Sequence, residues 1–198
     1  MTTQGMPHSS QGTFTVRRIV ITGVLAAIAI LLGVTTLGFI PVPNLTGRAT
    51  IMHVPAIIGG VLEGPIVGLV IGGIFGIYSW LQDTTGLFKN PMVSVVPRLL
   101  IGVVAYYVYA ALRKTNEFVA LAAAAIAGTL TNTILVVGAI LIFTFPVLTA
   151  SAPGITQAAF VASVVPQAIA ELVIAAILTV AVVAAWKRLD KGAGKSSV

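Results

Sequence analysis

Charged residues are so scarce in this chain that they decide which solvent it can fold in. Of its 198 residues, 58% are hydrophobic and only 8% are charged, whereas a soluble domain carries about 25% charged residues. Such a sequence cannot cover a water-exposed surface, so most of the chain must lie in a lipid bilayer. Because one span needs roughly 20 apolar residues, the length predicts an all-α integral membrane protein, a bundle of about six transmembrane helices.

Breaks between the apolar stretches predict where the helices and loops lie. Loops rich in proline, glycine or polar residues are expected at Ile40–Thr50, Asp83–Pro91 and Pro146–Gln157. Within the second apolar stretch, Glu63-Gly64-Pro65 predicts a tight turn between two short helices, and a re-entrant hairpin is the alternative there. The predicted spans are Val16–Phe39, the helix pair in Ile51–Gln82, Val93–Leu112, Phe118–Phe145 and Ala158–Trp186.

The polar ends of the chain are expected to lie outside the membrane. Residues 1–15 are polar and lack the apolar core and cleavage site of a signal peptide, so they are predicted to form a disordered tail. Residues 16–187 are predicted to form the six-span membrane domain, and residues 188–198 a short basic tail.

The distribution of basic residues predicts that the N- and C-termini are both cytoplasmic. Six spans place eight of the eleven Lys and Arg residues on that side, as the positive-inside rule requires. The other three, Arg48, Lys89 and Arg98, fall on or near the outer side. The formal charge of +6 therefore reflects membrane orientation and not a nucleic-acid partner. The eight inner residues are Arg17, Arg18, Arg113, Lys114, Lys187, Arg188, Lys191 and Lys195.

The sequence lacks the residue patterns of the common catalytic and metal sites. It has no cysteine, which excludes thiolate chemistry and disulfides. It also has no Walker A motif, no HExxH motif and no paired carboxylates. We therefore expect no catalytic residue, no metal and no cofactor in this chain. If transport is active, partner subunits must use the ATP.

Polar residues in the outer half of the bundle are the candidates for binding a solute. Arg98 follows Pro97 at the outer end of the fourth span, where its guanidinium fork can bind a carboxylate or phosphate; snorkelling to lipid headgroups is the alternative. Asn132 lies deep in the fifth span. Gln167 and Glu171 are four residues apart in the sixth span, so they share a helical face. Arg98 is the expected partner of Glu171, and a purely structural hydrogen-bond network is the alternative.

Small residues recur at helical spacing in the first span. Gly23 pairs with Ala27 and Thr22 with Ala26, and such stripes let helices approach closely. The stripe predicts either packing inside the bundle or a docking face for another membrane subunit.

Two runs of this sequence resemble a known transporter family. IPVPNLTGRATIMHVPAIIGGVLEGPIVGLVIGGIFGIYSW is similar to the second and third helices, with the preceding loop, of the substrate-binding S components of energy-coupling factor (ECF) transporters. NPMVSVVPRLLIGVVAYYVYAAL is similar to their third loop and fourth helix. The resemblance extends over Val16–Leu112, whereas the C-terminal half matches mainly in topology.

The resemblance implies a function, partners and a site. An S component is a multi-pass protein of the prokaryotic plasma membrane that binds a vitamin from outside. It docks on a transmembrane T component that carries two ATPase subunits. The family docks through small residues of the first helix, and the corresponding positions here are Gly23, Ala26 and Ala27. The regions that line the family's pocket hold Asn44, Arg48, Trp80, Asn90, Arg98, Asn132, Gln167 and Glu171.

The same resemblance favours one vitamin over the other candidates. The IPVP loop and the VPR start of the fourth helix are most similar to pantothenate-type members. Arg98 would suit the carboxylate of pantothenate, and Asn132 and Gln167 would suit its hydroxyls and amide. Folate, riboflavin and cobalamin stay open as alternatives.

Two other classes of function are compatible with a small membrane protein. An autonomous secondary transporter or channel would carry polar residues through the inner half of the bundle, where few occur. An intramembrane enzyme would need a nucleophile–base or metal pair at membrane depth, and His53 is the one imidazole expected there.

Overall fold

The computed structural model describes residues 16–35, 37–41, 48–151 and 153–193. For residues 40, 41, 48, 151 and 190–193 it describes only the backbone. The predicted N-terminal tail, the end of the predicted C-terminal tail and Asn44 lie outside these ranges.

The described chain is a helical bundle with one small strand pair. β1 and β2 are antiparallel, and Phe39 is paired with Thr50 at the base of their hairpin. A single π-helical turn, Ile140–Thr144, separates α6 from α7. The elements are α1 (Val16–Val34), β1 (Phe39–Pro41), β2 (Arg48–Thr50), α2 (Val54–Glu63), α3 (Pro65–Leu81), α4 (Pro91–Ser94), α5 (Val96–Leu112), α6 (Glu117–Ala139), α7 (Phe145–Ser151) and α8 (Gln157–Ala193).

Four helical segments in the described ranges are long and apolar enough to cross a membrane. They are Val16–Val34, Pro91–Leu112, Glu117–Ala150 and Gln157–Leu189. The remaining apolar helices, α2 and α3, have 10 and 17 residues. At about 1.5 Å per residue, α2 is only about half as long as the roughly 30 Å hydrocarbon core is thick. The chain is therefore an all-α multi-pass membrane protein, in which α2 is too short to cross the hydrocarbon core alone.

Several predicted boundaries were wrong. The first helix ends at Val34, and Phe39 belongs to β1 because the backbone there pairs with β2. The last helix runs to Ala193, so residues 188–193 of the predicted tail are helical.

The helix predicted to end at Phe145 continues through Pro146 to Ser151. Proline lacks the N–H that an α-helix requires and its ring crowds the preceding turn. The π-helical turn directly before it widens the backbone, and such local adjustments let membrane helices tolerate proline. Much of the predicted loop Pro146–Gln157 is therefore helix.

Charged side chains pair at one end of the bundle. The Nε atoms of Arg17 and Arg18 lie 3.4 and 3.7 Å from the carboxylate oxygens of Glu63 in the α2–α3 turn. Lys187 of α8 pairs with Glu117 at the start of α6. We call this the basic end, formed by the start of α1, the α2–α3 and α5–α6 turns and Lys187. The opposite end, which carries β1, β2 and residues 83–91, is called the strand end.

Glycines on α3 form a seam against α5. Gly68, Gly72 and Gly76 are spaced four apart and face α5, as small residues do where membrane helices approach closely. A Cβ added at Gly102 of α5 would lie 2.5 Å from the Gly68 Cα and 2.6 Å from the carbonyl oxygen of Ala56. The three helices α2, α3 and α5 are thus in backbone contact, and this contact fixes where α5 begins.

Replacing a seam glycine should destabilise the bundle. We expect Gly102→Ala to lower the free energy of unfolding by about 1–3 kcal/mol, because the new methyl group meets backbone that cannot move aside. Gly138→Ala is the matched control, since a Cβ at Gly138 meets nothing within 4 Å. Denaturant unfolding in detergent measures both variants, and equal stability of the two would contradict the seam.

Candidate functional site

A group of polar side chains is buried in the half of the bundle nearer the strand end. Burying polar groups among apolar helices is costly unless they are paired, so such residues mark sites or structural networks. Their exposed fractions are 6% or less. We call them the polar cluster, and its members are His53, Arg98, Thr129, Asn132 and Glu171.

Glu171 ties α8 to the strand pair. Its Oε1 atom accepts a hydrogen bond of 2.7 Å from the Thr50 backbone N–H and one of 2.9 Å from the Gln167 side-chain amide. Gln167 and Glu171 share a helical face, as predicted from their spacing. The expectation that Arg98 is the direct partner of Glu171 was wrong: within the described residues the carboxylate is held by Thr50 and Gln167, and Arg98 acts on it only through space.

Arg98 is 5% exposed, and the start of α5 determines how it is held. Pro97 has no N–H to donate to the carbonyl of Val93 four residues earlier. One terminal nitrogen of the Arg98 guanidinium donates to that carbonyl instead. The guanidinium carbon also lies 5.6 Å from the ring centre of Phe75 and 5.1 Å from that of Phe88, within the range of cation–π attraction. Its Nε atom is buried and has no hydrogen-bond partner in the described structure.

His53 and Asn132 complete the polar cluster. The His53 Nε2 atom lies 2.9 Å from the Thr129 hydroxyl, and its Nδ1 atom is buried without a partner among the described residues. Asn132 follows Thr129 by three residues on the same face of α6, and its Oδ1 atom is also buried and unpartnered there. A Cβ at Gly128 would lie 3.3 Å from the Ile101 carbonyl, so these antiparallel helices place Asn132 level with Arg98.

The polar cluster therefore presents both kinds of hydrogen-bonding atom in one region. Arg98 Nε is a donor with positive charge, Asn132 Oδ1 is an acceptor, and His53 Nδ1 is either one according to its tautomer. A small anion with donor groups of its own matches this set. No three His, Cys, Asp or Glu side chains of the described residues are grouped to hold a metal ion.

Two of the predicted site residues are used by the loop between α3 and α4. The Trp80 indole N–H donates to the Lys89 carbonyl at 2.8 Å. The Asn90 side chain caps α4 by accepting a 2.9 Å bond from the Met92 N–H. These side chains shape the loop above the polar cluster. Arg48 is described only by its backbone in β2, and Asn44 lies outside the described residues.

A cleft of about 250 Å³ opens at the basic end, away from the polar cluster. Arg18, Glu63, Tyr106 and Arg113 are among its lining residues. Arg18 and Glu63 pair with each other, so much of the charge in this cleft is compensated. Three of the four buried side-chain atoms that have no hydrogen-bond partner in the described structure, those of His53, Arg98 and Asn132, belong instead to the polar cluster, and we place the candidate binding site there.

Comparison with known proteins identifies the family. Residues 17–183 match the family model "ECF transporter, substrate-specific component". The chain belongs to this family. It is also 30% identical over 158 residues to the pantothenic acid transporter PanT of Lactococcus lactis subsp. cremoris, an alignment that covers 70% of this chain and 77% of PanT. The chain is thus an S component, the substrate-specific membrane subunit of a vitamin transporter, as its resemblance predicted.

The first helix of this S component presents part of the predicted docking stripe. Gly23 and Ala27 are exposed, and a Cβ at Gly23 would meet nothing within 4 Å. The inclusion of Ala26 was wrong, because its side chain is buried against the rest of the bundle. It shares the inward face of α1 with Thr22 and Ala29. The outward stripe therefore consists of Gly23 and Ala27, each one residue after a buried position.

Sequence reasoning missed several partners that hold the side chains of the candidate site. Phe75 and Phe88 flank Arg98, and the Thr50 N–H binds Glu171. These contacts were missed because neither corresponds to a motif in the sequence. The sequence did contain a signal for Thr129, since it lies one helical turn before Asn132 and so shares its helical face. Pro97 also had one, because a proline in a helix frees the carbonyl four residues earlier.

The Glu171 tie gives a test of whether that residue holds the strand pair by hydrogen bonding or by charge. Glu171→Ala leaves the half-buried Thr50 N–H without this acceptor and should lower the free energy of unfolding by about 1–3 kcal/mol. Glu171→Gln keeps an acceptor oxygen and should lower it by much less. Unfolding titrations in detergent measure both, and equal losses would show that the negative charge is what matters.

Proposed function

We propose that this S component binds pantothenate from outside the cell for import by an ECF complex whose partner subunits hydrolyse ATP. The observation that carries the proposal is the buried Arg98 guanidinium, whose Nε atom is unpartnered within the described structure. A cation held in an apolar bundle attracts a carboxylate strongly, because little water competes for it. The similarity to a chain named as a pantothenic acid transporter supports the same substrate.

The other members of the polar cluster suit the rest of this vitamin. Pantothenate carries a carboxylate at one end, an amide in the middle and hydroxyls at the other end. The Asn132 Oδ1 atom would accept a hydrogen bond from the amide or a hydroxyl. His53 Nδ1 offers a further polar contact. The aromatic rings of the site, Phe75 and Phe88, both lie against the Arg98 guanidinium. This arrangement favours a small acid over a large flat ring.

The proposed topology has six membrane helices, with the basic end in the cytoplasm. The paired carboxylates Glu63 and Glu117 are fewer than the arginines and lysines around them, so this end keeps an excess of positive charge. The positive-inside rule places such an end in the cytoplasm. The polar cluster then lies in the outer half of the bundle, where a vitamin arrives.

The partners we propose are a transmembrane T component and two ATPase subunits. Family membership supports them, and α1 offers the surface. This helix lies at the edge of the bundle, where Gly23 has open space around it. Apolar residues of the same helix, among them Val20 and Val24, are more than half exposed. A partner helix can therefore approach the α1 backbone closely at Gly23.

Removing the Arg98 side chain should weaken pantothenate binding. We expect Arg98→Ala to cost about 2–4 kcal/mol of binding free energy, because a buried charge pair loses one member. Arg98→Lys should cost less, since it keeps the charge and loses only the planar fork. Lys89→Ala is the control, because its side chain is exposed near the same end. Titration of the detergent-purified protein by calorimetry measures all three.

The same preparation tests the proposal without mutation. Mass spectrometry of the purified wild-type chain should detect co-purified pantothenate, and a thermal-shift panel of vitamins should single it out. Stabilisation by another vitamin but not by pantothenate would reject the proposed substrate. Unchanged pantothenate affinity in a folded Arg98→Ala variant would remove Arg98 from the site.

Enlarging Gly23 should separate docking from binding. We expect Gly23→Leu to abolish co-purification with the T component and ATPase subunits while pantothenate affinity stays unchanged, because the leucine fills the approach to α1 and touches nothing inside the bundle. Gly138→Leu is the matched control, since a Cβ at Gly138 also meets nothing within 4 Å. Intact complexes with both variants would contradict docking at Gly23.

A further inference from the structure

The loop between α3 and α4 is built around the backbone of Phe88. The Asp83 carboxylate accepts 2.9 and 2.7 Å bonds from the Thr85 N–H and hydroxyl through Oδ1, and a 3.1 Å bond from the Phe88 N–H through Oδ2. Gly86 has φ of 81°, a conformation that glycine adopts without strain, and it turns the chain between them. The Phe88 carbonyl accepts a 2.8 Å bond from the buried Ser94 hydroxyl. Phe88 is therefore held on both sides of its Cα.

This loop places the Phe88 ring against Arg98. The ring centre lies 5.1 Å from the guanidinium carbon, closer than that of Phe75 on α3. The two rings differ in what holds them. Phe75 is buried on a membrane helix, whereas Phe88 is half-buried and belongs to the strand-end loop. Phe88 is thus the ring that stands between the Arg98 charge and the outside.

We propose that Phe88 is a specificity-determining residue of the Arg98 site, and that Asp83 is the residue that positions it. The inference rests on the proposed function. The ring keeps water from the guanidinium, and a carboxylate that binds there then meets less competition from solvent. A neutral ligand gains little from this. The ring should therefore raise the preference of the site for an acid over an uncharged analogue of the same shape.

The preference is measured with pantothenate and pantothenol, in which a hydroxymethyl group replaces the carboxylate. Dissociation constants for both ligands are determined for each variant in the same detergent. We expect Phe88→Ala to reduce the acid-to-alcohol affinity ratio about tenfold, because water readmitted to the guanidinium weakens its attraction to the carboxylate and not its contact with the alcohol. Pantothenol affinity should change little, which shows that the site is still folded. Phe88→Tyr keeps the ring and should restore the ratio.

Two further variants separate positioning from general damage to the loop. Asp83→Asn keeps the size of the side chain but removes one of the acceptor oxygens that the loop uses, so it should lower the ratio in the same direction as Phe88→Ala. Leu87→Ala truncates the neighbouring apolar residue of the same loop, for which no contact with Arg98 is seen. It should change both affinities equally and leave the ratio at the wild-type value.

The outcomes distinguish this inference from the proposed function. If wild-type protein binds pantothenate and Phe88→Ala keeps the full ratio, the role of Phe88 is rejected while the proposed function stands. If Leu87→Ala lowers the ratio as much as Phe88→Ala, the effect belongs to loop packing and the inference also fails. If the wild-type protein binds neither ligand, the proposed function fails and the inference fails with it.

Discussion

Backbone contact between α3 and α5 is the constraint on which the rest of the bundle depends. Lipid gives no hydrophobic drive for two apolar helices to associate, so close van der Waals packing must hold them. Gly68, Gly72 and Gly76 supply it, because their lack of side chains lets the α3 backbone lie directly against α5 and the residues just before it. The start of α5 is thereby fixed beside α3. That placement also determines the position of Arg98, which lies within reach of Phe75 on α3 and of Phe88 in the loop between α3 and α4.

Unsatisfied backbone groups explain why the polar residues lie where they do. Within a membrane each backbone N–H and carbonyl needs a partner from the protein. The carbonyl that Pro97 leaves without a donor is taken by Arg98, and the N–H of Thr50 is taken by Glu171. These contacts hold both side chains in place while part of the Arg98 guanidinium stays unpaired. In the proposed site, structural stabilisation and the capacity to bind an anion would therefore both come from Arg98.

The two ends of the bundle differ in how their charges are arranged. At the basic end, Glu63 and Glu117 are matched with arginine or lysine. At the strand end, the charge of Arg98 lies under aromatic rings and meets Glu171 only through space. The proposed site lies at the strand end, where polar atoms of the described residues are buried and unpaired. This asymmetry agrees with the proposal that this S component takes its substrate from one side and relies on other subunits for the energy of transport.

The sequence by itself determined the membrane class, the approximate helices, the clustering of basic residues at one end and the family. These properties depend on composition, on the lengths of apolar runs and on local charge, which are all readable along the chain. Tertiary structure decided which faces meet. Only packing showed that Ala26 is buried and that the helix continues past Pro146. One partner of Glu171, the Thr50 N–H, lies 121 residues away in β2, and no local pattern specifies a contact between such distant segments.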